Sequence, residues 1–335
     1  MSQINTKLHL EEIVRRRSPV VEQWPNDIPT IGQTIEKISD QDENCDQSIL
    51  QEIEEQFDTL TSDNIIEFVS KVSLNGWHQG GRPSFPALVK VLAKKIGVGE
   101  EDSSIYDAMM LCALRVEAGD AQTSHKNGYH NIQHFMDVTL MTACFIAHHN
   151  RLCDQQRIQE PKLSDERAGL ALISAIIHDL DHPGKSNPSY NLVHNELQSS
   201  LKARFVLEGC GLDQDMIHVT HRTLLNTSPN LSEQDHYKML ESDIVEDADL
   251  SPSSGWGYEM WHYMSVKFTE ETTVSGVGAG VDYTKPESGL WFLENIVGNK
   301  GYKSEAARDL LGIHMEGLRN KLEENLKELR KNRKT

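Results

Sequence analysis

The sequence predicts an all-α fold. Three observations carry that expectation. From Ile65 onward, apolar residues recur at helical spacing. Several of these stretches bring their own start and stop residues, as with Pro86 at the head of one and Gly97 at its tail. Alternating apolar–polar runs of the kind that make strands are scarce.

In chain order, residues 1–60 read as a polar, acidic N-terminal segment. Between Glu36 and Asp58 there are nine acids and a single base, Lys37, the pattern of a solvated helix face or a mobile arm. Ile49, Ile53 and Phe57 repeat at i, i+4 and i+8, so part of the segment reads as an amphipathic helix docked on the body. A helical domain spans 61–301. Within it, Pro86–Ile96 reads as one helix, and Tyr106–Val116, followed by Gly119, as another. The apolar stretch Phe135–His149 is a third, with His148 and His149 as a pair beyond its end. Ser164 to Arg167 starts a fourth, whose apolar run Ala168–Ile177 ends in His-Asp. Residues 251–301 are less regular, and the tract Ser275–Gly280 reads as a flexible loop because it neither follows a strand nor opens a helix. Residues 302–335 form a C-terminal amphipathic helix with Leu311, Met315, Leu318, Leu322, Leu326 and Leu329 on one stripe. It packs on the body or pairs with a second copy as a homo-oligomer.

Composition narrows the function classes. Lys plus Arg is 33 and Asp plus Glu is 51, a net charge of −18. That balance argues against a nucleic-acid polymer, whose binding needs a basic stripe, and against an anionic membrane surface. No apolar run approaches the ~20 residues of a membrane span, and Met1 to Glu12 lacks the apolar core of a secretory signal. The five cysteines are scattered and odd in number, which fits reduced thiols in the cytoplasm.

Three clusters carry chemistry. In Tyr129-His-Asn-Ile-Gln-His134, His130 and His134 stand at i and i+4. If both lie on a helix they share a metal, or one binds metal while the other handles protons; the plain alternative is a pair of surface histidines. In His178-Asp-Leu-Asp-His182, an Asp directly after a greasy helix is costly to bury unless a cation neutralises it. The plain alternative is a helix end whose Asp faces water. In Glu241–Asp249, five acids fall in nine residues, and helical phasing turns Asp249 inward with Val245 and Ala248 while Asp243, Glu246 and Asp247 face solvent.

The order His134, His178-Asp179, Asp249 resembles the HD-domain metal-dependent phosphohydrolases. The local wording is similar to the class I 3′,5′-cyclic nucleotide phosphodiesterases. Tyr129, His130, Asn131, His134, Asp137, Val138 and Thr139 match that family's Tyr-His-Asn-x-x-His-x-x-Asp-Val-Thr, and His178, Asp179, His182, Gly184 and Asn187 match its His-Asp-x-x-His-x-Gly-x-x-Asn. Ala248-Asp249-Leu250-Ser251 matches its Thr-Asp-Met-Ser more loosely, and Glu196 stands where the family has its Ser-Glu-Leu glutamate.

The resemblance implies an HD/phosphodiesterase-like helical bundle acting as a cyclic nucleotide phosphodiesterase in signal transduction. It implies two divalent ions, with Zn²⁺ held tightly by His134, His178, Asp179 and Asp249, and Mg²⁺ or Mn²⁺ at a second, mostly water-coordinated site. His182 and Glu208 are then expected to orient waters. A hydroxide bridging the ions attacks phosphorus, and His130 protonates the departing O3′ of a small nucleotide substrate. The alternatives are an HD phosphohydrolase acting on another nucleotide or an alarmone, and a catalytically silent regulatory module.

The sequence departs from the family at Ser189 and Tyr190, where an apolar residue is due one step earlier, and after Leu207-Glu208, where a double His is missing. After Asp249 no counterpart of the glutamine and phenylalanine purine clamp is found, leaving Trp256, Trp261 and Trp291 as residues to stack on a base or simply to fill the core. His218 and His221 read as further ligands or as surface histidines, His125 as a loop residue near the site, and Arg330–Lys334 as a solvated helix end.

Overall fold

The computed structural model describes residues 6–18, 31–44, 48–99, 103–123, 127–183, 187, 191, 193–229, 231, 236–275, 281–298 and 301–332. Among them every regular element is helical: α1 (Thr6–Arg16), α2 (Ile31–Asn44), α3 (Ser48–Gln56), α4 (Ile65–Val69), α5 (Phe85–Lys95), α6 (Ser104–Thr123), α7 (Ile132–Asp154), α8 (Asp165–Ile177), α9 (His194–Gly209), α10 (Gln214–Asn226), α11 (Leu240–Ser254), α12 (Gly257–Ser275), α13 (Pro286–Asn295) and α14 (Glu305–Asn332). A π-helical stretch, Ser70–Trp77, continues α4. The all-α expectation holds, and the span from 257 to 295 is more helical than the sequence suggested.

Local chemistry explains the starts. Ser84 caps α5, with Pro86 in its first turn, and Ser164 caps α8 by accepting from Arg167 N. Asn131 caps α7, its side-chain oxygen accepting from Gln133 N and His134 N. Gly119 does not end a helix: α6 runs through it. His148 and His149 lie inside α7. His148 pairs with Asp309 of α14 at 2.7 Å, and His149 bonds the Pro161 carbonyl.

The centre of the bundle is α6, α7, α8 and α11, which pack on one another. Ala168 to Ile177 are all buried, as the unbroken apolar run of α8 requires. The N-terminal helices belong to the same core: Leu10, Ile13, Ile38 and Ile53 are at most 1% exposed and join one continuous cluster with the central helices. Arg16 and Arg17, at the end of α1, grip the fully buried Asp107 of α6 at 2.6 and 2.8 Å. Removing that carboxylate strands two guanidinium groups, so Asp107→Ala is expected to cost about 3 kcal/mol, read as a fall in the urea midpoint.

α14 packs on the body through Ala306, Ala307, Leu310, Leu311, Leu318 and Leu322, while Leu329 remains 43% exposed. No described helix is long and apolar enough to cross a membrane. The four described cysteines are free thiols.

Asp247 departs from the sequence reading. It is buried, not solvent-facing, because its carboxylate accepts from Lys303 N, Ser304 N and Ser304 Oγ and so holds Ser304, whose Oγ caps α14 by accepting from Ala307 N. Asp243 and Glu246 are half-buried, and Glu246 bonds Lys303 at 2.6 Å.

Candidate active site

Three helix ends meet at one end of the bundle. α7 begins there, α8 finishes there, and the C-terminal half of α11 passes alongside. His134 sits in the first turn of α7, His178 caps the C-terminus of α8, and Asp179 follows in the turn. The Nε2 atoms of His134 and His178 lie 3.1 Å apart. Asp249 Oδ1 is 3.2 Å from His134 Nε2 and 3.6 Å from His178 Nε2. Asp179 Oδ2 is 3.7 and 3.3 Å from the same two atoms.

These separations fit a cation. Donors at about 2.0–2.2 Å from one tetrahedral ion stand about 3.3–3.6 Å from each other; His134, His178 and Asp249 form one such mutually close group, with Asp179 near both imidazoles. His178 Nδ1 bonds the Ala175 carbonyl at 2.9 Å, which leaves its Nε2 lone pair aimed at the centre of the cluster. At 3.1 Å the two Nε2 atoms are close enough to share a proton or a cation. The carboxylates call for the same charge: burial disfavours a charged His134, yet Asp179 and Asp249 outweigh it and raise its pKa to about 10. Two imidazoles and two carboxylates suit Zn²⁺ or another first-row divalent ion.

His130 stands beside this cluster, but not on the helix. The Asn131 cap starts α7 at Ile132, so His130 is turned out of the helical register and its ring lies at 85° to that of His134. A shared helix face is therefore not how the two meet. His130 Nδ1 lies 2.5 Å from Glu271 Oε1, and Glu271 Oε2 accepts from the backbone N–H of both Tyr129 and His130. The opposite nitrogen, His130 Nε2, faces Asp179 Oδ2 at 3.8 Å. Burial would raise the Glu271 carboxyl, but the bonds and charge from His130 hold it down at about 2.

His182 stacks on His130 with ring centroids 3.9 Å apart. Burial first, then the neighbouring His130, lowers the His182 pKa to about 4, so it is neutral near pH 7. Its Nε2 lies 3.1 Å from Asn195 Nδ2. Asn187 ties this wall together, its Oδ1 accepting from Asn195 N and its Nδ2 donating to Glu196.

Glu208 is not part of the site. It is exposed, pairs with Arg204 at 2.6 Å, and does not line the cavity. α9 gives the reason: Glu208 lies twelve residues beyond Glu196, about 18 Å along the axis. Glu196, nearly buried, is the α9 glutamate that lines the cavity. His218 is exposed and His221 bonds Ser200 Oγ, so neither reaches the cluster. His125, Gly184, Ser189, Tyr190, residues 276–280 and residues 333–335 lie outside the described residues.

The cluster opens into a cavity of about 900 Å³. Its polar end is His130, Asp179, His182, Glu196 and Asp249; its apolar end includes Met264, Phe268, Tyr283, Trp291 and Phe292. No glutamine lines it among the described residues. Trp256 is a core residue, and Trp261 is buried against Gly289, where any Cβ would stand 2.7 Å from the indole. Trp261 and Trp291 both line the cavity, and Trp291 is the exposed one of the two, at 56%.

Comparison with known proteins adds the decisive observation. The family model of the 3′5′-cyclic nucleotide phosphodiesterases matches residues 129–251. The chain is a metal-dependent phosphohydrolase, cyclic-nucleotide-phosphodiesterase-like. The matched part of this phosphodiesterase-like enzyme starts at the residue before His130 and ends two residues after Asp249. Glu271 and most of the apolar end of the cavity lie beyond it.

The sequence reading did not find Glu271. It sits among ordinary helical residues beside Glu270, an exposed acid paired with Lys267, and no pattern in the sequence sets it apart. Asn195 was missed for the same reason: its part depends on contacts from two other segments.

Proposed function

We propose that this enzyme hydrolyses the phosphodiester of a 3′,5′-cyclic nucleotide. The observation that carries the reading is the convergence of four donors, His134, His178, Asp179 and Asp249, within 3.1–3.7 Å contacts at the foot of a nucleotide-sized cavity. These four residues would hold the tighter cation, Zn²⁺ by their chemistry, and Asp179 would also reach a second, Mg²⁺ or Mn²⁺. Bound there, the ions supply an activated water and neutralise charge on the phosphoryl oxygens.

The remaining residues do the rest. His130 is the general acid. A protonated imidazole with Nδ1–H held by Glu271 presents its Nε2–H toward the cluster, where the leaving O3′ would stand. Glu271 keeps that imidazole oriented and stabilises its charge. His182, neutral and anchored by Asn195, orients water. Phe268, Phe292 and Trp291 enclose the base.

A substrate panel with Mn²⁺ or Mg²⁺ added tests this reading: cAMP, cGMP, nucleoside monophosphates, tri- and tetraphosphate alarmones and cyclic dinucleotides. Turnover of a 3′,5′-cyclic nucleotide is expected. A metal-loaded protein that cleaves none of the panel overturns the enzyme reading. The absence of a glutamine from the described lining supports a second reading, an HD phosphohydrolase for another nucleotide, which hydrolysis of only the non-cyclic substrates would select.

Trp291→Ala is expected to raise KM about tenfold, the loss of one base–aromatic stack, with kcat little changed. Because the indole is already half in water, the melting temperature should not move.

A further inference from the structure

Asp181 lies between two residues of the site and has a left-handed backbone, φ +59°. Among the described non-glycine residues only Gln156 shares that region, and it lies just past the end of α7, away from the cluster. An L-residue with a Cβ resists this conformation, although Asp tolerates it better than most. At Asp181 it closes a turn: His182 N donates to the Asp179 carbonyl at 2.9 Å. The turn sets Asp179 and His182 side by side on the cavity wall, Asp179 facing the histidine pair and His182 stacked on His130.

Two other helices grip the Asp181 carboxylate. Arg115 of α6 donates to Oδ2 at 3.0 Å from a side chain only 9% exposed, and Lys202 of α9 stands 3.2 Å from the same oxygen. Room for the pair comes from Gly119 of α6. A Cβ there would lie 3.3 Å from Arg115 Nη1 and 3.6 Å from Asp181 Oδ1. On the backbone side, Ser199 Oγ bonds the Leu180 carbonyl at 3.1 Å. The grip is built from three elements and ends on the one strained residue of the motif.

We propose that Arg115, with Lys202, is a positioning residue: it holds Asp181 in the left-handed conformation and so sets the placement of Asp179 and His182 for metal binding and catalysis. The catalytic part of this inference rests on the phosphohydrolase reading above; the conformational part does not.

The test compares two double variants, Arg115→Met/Asp181→Gly and Arg115→Met/Asp181→Ala. Both delete the buried guanidinium together with its carboxylate, so no buried charge is stranded, and the part-exposed Lys202 loses its partner equally in the two. They differ only in how freely residue 181 adopts a positive φ. The glycine variant is expected to bind Mn²⁺ in calorimetry, and to turn over, about tenfold better than the alanine variant. KM for substrate should be alike in the two. Backbone amide exchange across 179–182 should be faster than wild type in the alanine variant and near wild type in the glycine variant.

If the left-handed conformation of residue 181 does not set the site, the two variants are equal in all three measurements, and if Arg115 merely fastens helices together, Arg115→Met alone keeps wild-type Mn²⁺ binding and amide exchange across 179–182; either result overturns the proposal. If the Arg115→Met background does not fold, Lys202→Met carrying Asp181→Gly or Asp181→Ala asks the same question. Should the wild type bind Mn²⁺ yet hydrolyse nothing, the functional reading fails, while the metal titration and amide exchange still decide the clamp.

Discussion

Asp249→Ala is expected to abolish metal-dependent turnover, with a loss of about a thousandfold or more, and to weaken binding of the tighter metal. The carboxylate stands 3.2 and 3.6 Å from the two imidazole nitrogens that are themselves only 3.1 Å apart. Without it, the cluster keeps one carboxylate, and a cation held there loses both a donor and half the compensating charge. Charge stabilisation by a bound ion is worth several kcal/mol in the transition state, and each 1.36 kcal/mol is tenfold in rate. Metal content by mass spectrometry after gel filtration, alongside kcat, checks the expectation. Asp249 is one-fifth exposed and bonds to no backbone group in the described structure, so the variant should fold. Activity at the wild-type level would remove Asp249 from the metal site.

His130→Ala is expected to lower kcat by about a thousandfold, within the usual range for a general acid, while the metal stays bound. Its ring is held by Glu271 and by stacking on His182, and it contributes no short contact to the His134–His178 pair. Loss of metal in this variant would mean that ligand and acid are exchanged. Glu271→Gln should fall between the two extremes, about 10- to 100-fold in kcat, the worth of one hydrogen bond to a charged group. In the His130→Ala background the same change should cost almost nothing further, because the two act as a unit.

The pH dependence of Glu271→Gln is also set. Glu271 is depressed from the usual 4.5 to about 2 by His130. A depressed carboxylate adds stability that is present above about pH 4.5 and is lost as the pH falls toward 2. The wild type should lose that contribution over this window, and Glu271→Gln should lack it.

Much of the metal cluster was legible before any coordinates. An unbroken apolar run ending in His-Asp requires a compensating charge, and helical phasing turns Asp249 toward the apolar face of α11. These are local facts, decided by periodicity and by the cost of burying a carboxylate. The helix starts at Pro86 and Ser164 were legible for the same reason, whereas the cap at Ser84 came from the structure. Other expectations failed where a local rule met a distant partner. Asp247 was read as solvent-facing, yet the chain returns at Lys303 and Ser304 and is anchored on its carboxylate. Glu208 matched a sequence position, but helix geometry carries it away from the cavity that Glu196 lines.

By itself, then, the sequence determined the helical class and the three clusters, and it brought out His134, His178, Asp179 and Asp249 as candidate metal ligands. Each depends on neighbours within about a turn of helix or on the polarity of the residue itself. Only the tertiary structure decided which glutamate serves His130, which of the tryptophans line the cavity, and how Asp181 is held. Those choices are made by contacts between segments far apart in the chain, such as Glu271 with His130 and Arg115 with Asp181. No spacing along one helix encodes such contacts, because they arise from the packing of whole helices on one another.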